Sequence, residues 1–309
     1  MSNRAPAVTV HVPCHDYGRF LGDALDSLLA QTRTDWEAVV TDDASTDDSA
    51  AVMASYDDPR LRFVHHRENA GHVATYNEAL ALARAPRFVV LSADDRYHPA
   101  FLERACIALD ADPAIVLAFT DAELIDEHGA VIGVSATTLE PDRDWVRDVS
   151  LELMFRAFVP GGAAVVRTEL LRARGGFDPT LPHTTDTFLW RQLAFRGPIA
   201  HLAGRQFQQR IHDAALHHST SWLDLMTTEE VVQYERLLAD PAVPARVVAR
   251  RARLDAIVSV HRARRAHRDR RPIETVRQLA RAVGRDPWVW ERDHPIAVLA
   301  RDQVARRRS

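Results

Sequence analysis

The chain contains no lysine, so all 39 of its basic residues are arginines. It has only two cysteines, Cys14 and Cys106, which is too few for the disulfide framework of a small secreted domain. No uncharged apolar run approaches the ~20 residues that a membrane-spanning helix needs. Residues 1–7 are too short and polar for a secretory signal. We therefore expect a cytoplasmic protein, with peripheral contact to the inner face of a membrane as an open alternative.

Charge is distributed unevenly along the chain. The net charge is −4, yet residues 241–309 carry 18 arginines against 7 acidic residues. A GC-rich genome would explain the preference for arginine, and so would selection for binding phosphate. This basic segment lacks the interleaved aromatic residues and the motifs of nucleic-acid-binding proteins, so we expect no nucleic acid partner. The uses that we expect for it are packing against the rest of the chain or in a homodimer, and binding of an anionic ligand or a membrane surface that bears phosphates.

Strand-like and helical patterns alternate over residues 7–121. Short apolar runs at 7–12, 36–41, 61–65, 88–91 and 115–119 are separated by segments with three- and four-residue apolar spacing. Unbroken apolar strands between amphipathic helices indicate a parallel sheet that is covered on both faces. The pattern therefore predicts an α/β fold related to the Rossmann fold, with a mostly parallel sheet flanked by helices.

The rest of the chain is less regular. Residues 123–134 read as a hairpin that turns at His128 and Gly129, and residues 184–195 read as a helix with Asp186 in its first turn. From about residue 221 the apolar spacing becomes helical throughout. We predict an α/β domain over residues 1–220, with a regular part at about 7–121 and a less regular part at about 122–220. An arginine-rich helical region follows over residues 221–309.

Acidic residues follow two of the predicted strands. Asp42 and Asp43 end the second strand, and Asp94 and Asp95 follow the fourth. Ligands of parallel sheets bind outside the carboxyl ends of the strands, so both pairs should face one crevice. Carboxylates there can hold a divalent cation that neutralises a diphosphate leaving group, while a further carboxylate takes the proton of an attacking hydroxyl. The alternative is that these acids cap the helices that follow.

The motifs in combination resemble a family 2 glycosyltransferase of GT-A fold. The resemblance covers about residues 7–215 and is carried by several short segments: residues 11–16, 28–32, 36–47, 69–71 with Asn77, 91–95, 175–178, Asp186 with residues 189–190, and 210–212. Such a resemblance implies an inverting transfer of a monosaccharide from a nucleoside diphosphate sugar to an acceptor hydroxyl. It implies Mn²⁺ or Mg²⁺ as the cofactor, and a saccharide, a lipid carrier or a natural product as the acceptor.

The same resemblance implies that residues 1–220 are the catalytic domain, with a nucleotide-binding part at about 7–121 and an acceptor-binding part at about 122–220. It also assigns roles to individual positions. It implies that Asp186 is the catalytic base, and that Asp43 accepts a hydrogen bond from the base imide, which favours a UDP- or dTDP-sugar. The other nucleotide-sugar contacts that it implies are Pro13, His15, Asn69, Asp94 and Arg210. The metal ligands that it implies are Asp95, Asp94 and His212. The chain departs from the family pattern at Ser92 and Thr185, where relatives often have acidic residues.

Several readings stay open at the sequence level. Trp190 either lines the acceptor pocket or packs in the core. Gly162 either lines that pocket or allows the chain to turn. Asp186 lies at a predicted helix start, where the helix dipole would keep it ionised. Two rival functions are a catalytically degenerate subunit that binds or scaffolds, and a sugar nucleotidyltransferase. The second would need a glycine-rich basic loop after the first strand, but residues 13–19 hold one glycine and one arginine.

Overall fold

The structure is a computed structural model that describes residues 5–135, 140–212 and 220–286. Its strands are β1 Val8–Cys14, β2 Trp36–Asp42, β3 Leu61–His65, β4 Arg87–Val90, β5 Arg96–Tyr97, β6 Leu117–Ile125, β7 Val131–Val134, β8 Trp145–Arg147, β9 Ala164–Arg167 and β10 Ile199–Arg210. Its helices are α1 Gly18–Leu29, α2 Ser49–Ala54, α3 His72–Leu82, α4 Phe101–Ala111, α5 Ser150–Phe155, α6 Thr168–Ala173, α7 Thr185–Ala194, α8 Thr220–Leu238, α9 Ala245–Val248, α10 Arg251–Arg268 and α11 Pro272–Arg285.

One sheet contains all ten strands, and its main path runs β3-β2-β1-β4-β9-β6-β10-β5. The pairings β3-β2, β2-β1, β1-β4 and β6-β10 are parallel. β9 lies between β4 and β6 and is antiparallel to both. The predicted α/β class is confirmed, and the sheet is parallel from β3 to β4 and mixed beyond β4.

The buried core explains why the first strands form. Every residue of β2 is buried, and β1 is buried except for the partly exposed Pro13. Helix α1 covers this part of the sheet with Leu21, Leu25 and Leu28, which are fully buried. Each such leucine stabilises the fold by about 1.5–3 kcal/mol relative to an exposed one. The core thereby fixes the ends of β1 and β2, from which the loops of the site emerge.

The expected end of the first strand was wrong. The sequence placed its stop at Pro13, but β1 continues through Pro13 to Cys14. Its pairing with β4 ends at His11, whereas its pairing with β2 continues to Cys14. Pro13 has no N–H to donate, but β4 has already ended beside it, so no hydrogen bond between these strands is lost. A proline is therefore tolerated in this otherwise central strand.

The hairpin after β6 is confirmed. β6 and β7 pair antiparallel, and the turn between them closes with a hydrogen bond from Asp126 N to Ala130 O at 2.9 Å. Gly129 adopts φ +83° in this turn, a conformation that favours glycine.

The chain divides into two compact units. The first comprises Met1–Asp148 and Phe158–Ala215, and the second comprises Val149–Ala157 and Leu216–Ser309. Within the second unit, the Tyr234 hydroxyl donates to Met154 O at 2.7 Å, and Arg246 donates to Ser150 Oγ at 2.8 Å. These bonds attach α5 to the C-terminal helices. The predicted domain border near residue 220 stays a prediction.

The C-terminal helices bury apolar residues of α10 and expose apolar residues of α11. Leu254 and Ala256 of α10 are fully buried, whereas Ile273 and Val276 of α11 are exposed. Among the described helices, none combines the length and the apolar composition that crossing a bilayer requires.

Candidate active site

The loops that follow β1 and β2 are joined by hydrogen bonds. Asp43 N donates to Cys14 O at 2.8 Å, and Thr46 N donates to Asp16 Oδ1 at 2.6 Å. Asp16 and Ala44 have φ values of +58° and +60°, so both loops contain a left-handed residue. Because β1 and β2 are parallel neighbours, their carboxyl ends meet at one edge of the sheet, as the sequence predicted.

The carboxylate of Asp43 is held by three donors. Ala70 N donates to Oδ1 and Gly71 N donates to Oδ2, both at 2.9 Å, and His66 Nδ1 lies 2.7 Å from Oδ1. These hydrogen bonds keep the pKa of Asp43 below its ordinary value, although burial opposes them. Asn69 accepts a hydrogen bond from Gly71 N at 3.0 Å and so shapes the loop that encloses Asp43.

Pro13 and His15 lie beside this loop pair. Pro13 is aligned with Thr41 of β2. The His15 side chain is 44% exposed and lies 3.8 Å from Asp16, so one face of its ring is open to a ligand. The nucleobase contacts expected of both residues, and of Asn69, stay predictions.

Asp94 and Asp95 lie after β4, the other parallel neighbour of β1. Both are buried, and Arg210 N donates to Asp95 Oδ1 at 2.8 Å. Burial, and then the charge of Asp94, raise the pKa of Asp95 well above its ordinary value. Neither acid caps the following helix, since α4 begins after Ala100. Two adjacent buried carboxylates repel each other, and a cation between them would relieve that repulsion.

Arg210 is the last residue of β10, and its side chain is buried. Its Nε donates to Asp94 O at 2.8 Å, and its terminal nitrogens donate to Asp23 Oδ2 at 2.6 Å and to the carbonyls of Asp126 and Glu127. Each guanidinium nitrogen therefore bonds to a protein acceptor. This arrangement favours a role in positioning the loop after β4, and the nucleotide-sugar contact that the resemblance implied for Arg210 stays a prediction.

His212 follows two residues later. Its Nε2 lies 3.0 Å from Asp94 Oδ2, and its ring contacts Tyr17 and Phe20. Its Nδ1 is buried and has no hydrogen-bond partner among the described residues. Two carboxylates and an imidazole form a donor set that suits Mn²⁺ or Mg²⁺. In the described part of the chain, no group of three such side chains is already arranged around a metal position.

Asp186 lies in the first turn of α7, as predicted. Thr187 N donates to its Oδ1 at 2.6 Å, while its Oδ2 faces Gly161. Burial raises the pKa of Asp186 despite the hydrogen bonds from Thr187. The expectation that the helix start would keep this acid ionised was therefore incomplete, because desolvation outweighs the N-terminal N–H groups.

The charges of three site carboxylates contribute to raising the pKa of one tyrosine. Tyr76 of α3 is partly buried, and its pKa is raised first by burial and then by the charges of Asp186, Asp94 and Asp95. Tyr97 forms a second link, because its hydroxyl donates to Gly162 O at 2.6 Å and its pKa is raised by burial and by the charge of Asp95. The structure thus brings the catalytic-base candidate and the metal-ligand candidates to one site.

The two glycines before β9 make room for site residues. A Cβ at Gly161 would lie 2.5 Å from Asp186 Oδ2, and a Cβ at Gly162 would lie 2.8 Å from the Phe207 ring. The structure therefore favours close packing as the reason for Gly162. Trp190 is 3% exposed, as a core residue would be. The acceptor-pocket roles of Gly162 and Trp190 stay predictions.

We expect Gly161→Ala to lower turnover by about 10²-fold, because a displacement of the base by even ~1 Å has that effect. The added methyl group would push Asp186 Oδ2 out of its position. The matched control is Gly22→Ala in α1, where the nearest atom to the new methyl group is the Tyr56 hydroxyl at 3.6 Å. Steady-state kinetics of the two variants measure the difference, and equal turnover would contradict the placement of Asp186.

Sequence reasoning missed several residues of this site. Tyr76 and Tyr97 were not proposed, and neither was a role for His66. Tyr76 and His66 lie next to motif residues in the sequence, but each meets its partners only after folding. Proximity to the motif at residues 69–77 was the one available signal.

The fold and the acidic loops define a glycosyltransferase of GT-A fold. S. aureus TarS 1-349 in complex with UDP-GlcNAc superposes with a TM-score of 0.64 at 16% identity, covering 89% of this chain and 90% of that one. The mannosyltransferase PcManGT from Pyrobaculum calidifontis, in complex with GDP-Man and Mn²⁺, gives 0.59 at 19% identity, covering 98% and 81%. At these identities the likeness shows the fold.

The chain belongs to glycosyl transferase family 2, whose profile matches residues 9–173. An uncharacterised glycosyltransferase of Rickettsia typhi is 27% identical over 214 residues, covering 68% of this chain and 65% of that protein. Chondroitin synthase of Escherichia coli is 25% identical over 211 residues, covering 68% and 29%. The chain thus spans less than two thirds of either relative. The predicted family and enzyme class are confirmed.

Proposed function

We propose that the chain transfers a monosaccharide from a nucleoside diphosphate sugar to an acceptor hydroxyl, with inversion at the anomeric carbon. In this proposal Asp186 is the base, and Asp95, with Asp94 and His212, holds a divalent cation. Asp43 reads the nucleobase, with a UDP- or dTDP-sugar favoured.

The observation that carries the proposal is the convergence of carboxylates from distant parts of the chain. Asp186 Oδ2 faces Gly161, and the next residue, Gly162, accepts a hydrogen bond from the Tyr97 hydroxyl. The charge of Asp95 raises the pKa of Tyr97 after burial does, and the charges of Asp186, Asp94 and Asp95 all raise that of Tyr76. A transferase needs a negatively charged diphosphate near its cation and a proton acceptor near the attacking hydroxyl. Acidic groups from β4 and α7 at one place meet both needs.

The geometry of Asp186 suits proton removal. Thr187 N fixes Oδ1, and Oδ2 faces the backbone at Gly161. The acceptor hydroxyl would donate to this second oxygen and lose its proton as it attacks. A base with a raised pKa is a stronger proton acceptor than an ordinary aspartate. A single base with in-line attack inverts the anomeric centre.

The acids after β4 suit the leaving group. A bound divalent cation would neutralise charge on the departing diphosphate. Asp95 and Asp94 would hold it, and the Nδ1 of His212, which has no partner among the described residues, leaves this ring able to bind a further group. Arg210 fixes the loop that presents both acids.

Nucleobase choice follows from Asp43, whose carboxylate accepts and never donates when ionised. Uracil and thymine offer an imide N–H to such an acceptor, whereas the ring nitrogens of adenine's Watson–Crick edge do not. Guanine also offers a ring N–H. TarS and PcManGT, which share the fold, were solved with UDP-GlcNAc and GDP-Man respectively.

A thermal-shift panel tests this proposal. With Mn²⁺ present, UDP and dTDP at about 100 times their Kd should stabilise the chain by ~2.7 kcal/mol, which raises Tm by several degrees. ADP serves as the matched control, because it has the same diphosphate and lacks the imide. Equal shifts with ADP and UDP would contradict the role of Asp43, and no shift with any nucleotide would overturn the proposed function.

Other expectations about function remain predictions. The acceptor, a homodimer through the C-terminal helices, peripheral membrane contact and a cytoplasmic location have no test in the structure. A degenerate scaffold subunit is disfavoured by the convergence of Asp186 with Asp94 and Asp95. A sugar nucleotidyltransferase gains no support from the family assignment.

A further inference from the structure

His66 bridges two carboxylates beside the nucleobase candidate Asp43. Its Nδ1 lies 2.7 Å from Asp43 Oδ1, and its Nε2 lies 2.8 Å from Glu78 Oε2 on α3. A neutral imidazole has one N–H, so only the imidazolium donates to both carboxylates. The hydrogen bond to Asp43, and then the one to Glu78, raise the pKa of His66 above its ordinary value.

The bonding around Asp43 leaves little freedom. An ionised carboxylate has about four acceptor directions. His66 and Ala70 use those of Oδ1, and Gly71 uses one of those of Oδ2. The remaining direction belongs to Oδ2, and a nucleobase N–H could occupy it.

His66 is the only side chain among these three donors, since Ala70 and Gly71 contribute backbone N–H groups. Without His66, each carboxylate oxygen would keep one backbone donor, so the carboxylate would be held less firmly about its Cβ–Cγ bond. The free direction of Oδ2 would then be fixed less precisely. Glu78 orients the imidazole ring from the opposite side, as second carboxylates do for histidines that must hold one geometry.

We propose that His66, oriented by Glu78, is a positioning residue for donor binding, because it fixes the one acceptor direction of Asp43 that remains for the nucleobase. This inference rests on the proposed function and adds a group that does not touch the donor. It makes the base pocket depend on α3, the helix that also carries Tyr76.

Calorimetry with UDP and Mg²⁺ tests the inference in the full chain. His66→Leu should weaken UDP binding by about 10-fold, which corresponds to the loss of one hydrogen bond to a charged group. His66→Asn should restore affinity to within about 3-fold, because its amide N–H can replace Nδ1–H. Glu78→Gln should weaken binding by about 3-fold through a less firmly held ring.

The matched control is His65→Leu. His65 is the adjacent histidine, is 52% exposed and lies 3.4 Å from Asp42 instead of Asp43, so its loss should leave UDP affinity unchanged. An NMR titration of the ring adds an independent readout. The pKa of His66 should lie above ~6.5 in the wild type and move back toward that value in Glu78→Gln.

Two results would overturn the inference. One is wild-type UDP affinity in a folded His66→Leu variant. If that variant does not fold, the other result is wild-type UDP affinity in Glu78→Gln together with a His66 pKa at its ordinary value. This result would also overturn the inference. Failure of the wild type to bind UDP, dTDP or GDP would instead refute the proposed function, and this inference with it.

Discussion

Replacing Asp95 with asparagine should abolish metal-dependent turnover, with a loss of about 10³-fold or more, as for removal of a group that stabilises charge on a departing anion. Asparagine keeps the shape of the side chain and can still accept the hydrogen bond from Arg210 N. It removes the negative charge that would hold the cation. Donor turnover or hydrolysis, measured against Mn²⁺ concentration, gives the result.

The same variant separates catalysis from folding. Asp94 and burial raise the pKa of Asp95, so the ionised pair is unfavourable without a cation. Asp95→Asn should therefore keep or raise Tm in the absence of metal. The control is Asp57→Asn, which replaces an exposed acid before β3 and should change neither turnover nor Tm.

Wild-type Mn²⁺ affinity in Asp95→Asn would show that the cation binds elsewhere. Slow donor hydrolysis by the wild type that disappears in the variant would dismiss a scaffold subunit.

Replacing Asp186 with asparagine should lower turnover by about 10²–10⁴-fold, the usual contribution of a general base, while donor affinity changes less than about 2-fold. The amide oxygen can still accept from Thr187 N, so the start of α7 should be preserved. Turnover and calorimetry with the nucleoside diphosphate measure the two effects. Glu169→Gln is the matched control, because Glu169 is an exposed acid in the first turn of α6.

The pH profile gives a second check on Asp186. A base must be ionised, so activity is lost as pH falls through its pKa. Because burial raises that pKa, the acid limb of the wild-type profile should lie above the ordinary range of aspartate near ~3.9. Near-wild-type turnover in Asp186→Asn would show that another group takes the proton.

Local pattern sufficed for the first half of the sheet and for the acidic loops. Strands β1, β2 and β4 are apolar and buried, so their runs were visible in the sequence. The parallel arrangement then predicted that Asp43 and Asp95 would emerge at one edge. The sequence pattern also predicted the helix that begins near Asp186.

The remainder depended on contacts that no local pattern encodes. β10 was not predicted, because its alternation is broken between Leu202 and Phe207, where its register with β6 shifts. Gly204 and Arg205 have φ values of +90° and +44° there. The sequence predicted Arg210 as a nucleotide-sugar contact, but its side-chain partners come from three other segments, so its burial could not be foreseen.

The position of β10 in the chain has a consequence for biosynthesis. Arg210 N supports Asp95 from the last strand of the first unit, 115 residues further along the chain. A ribosome adds about 5–20 residues per second, so this support emerges several seconds after the acids that it holds. During that interval the nascent protein has the loop with Asp94 and Asp95 but lacks the hydrogen bonds from Arg210. A truncated translation product that stops before residue 199 would therefore have an incomplete site.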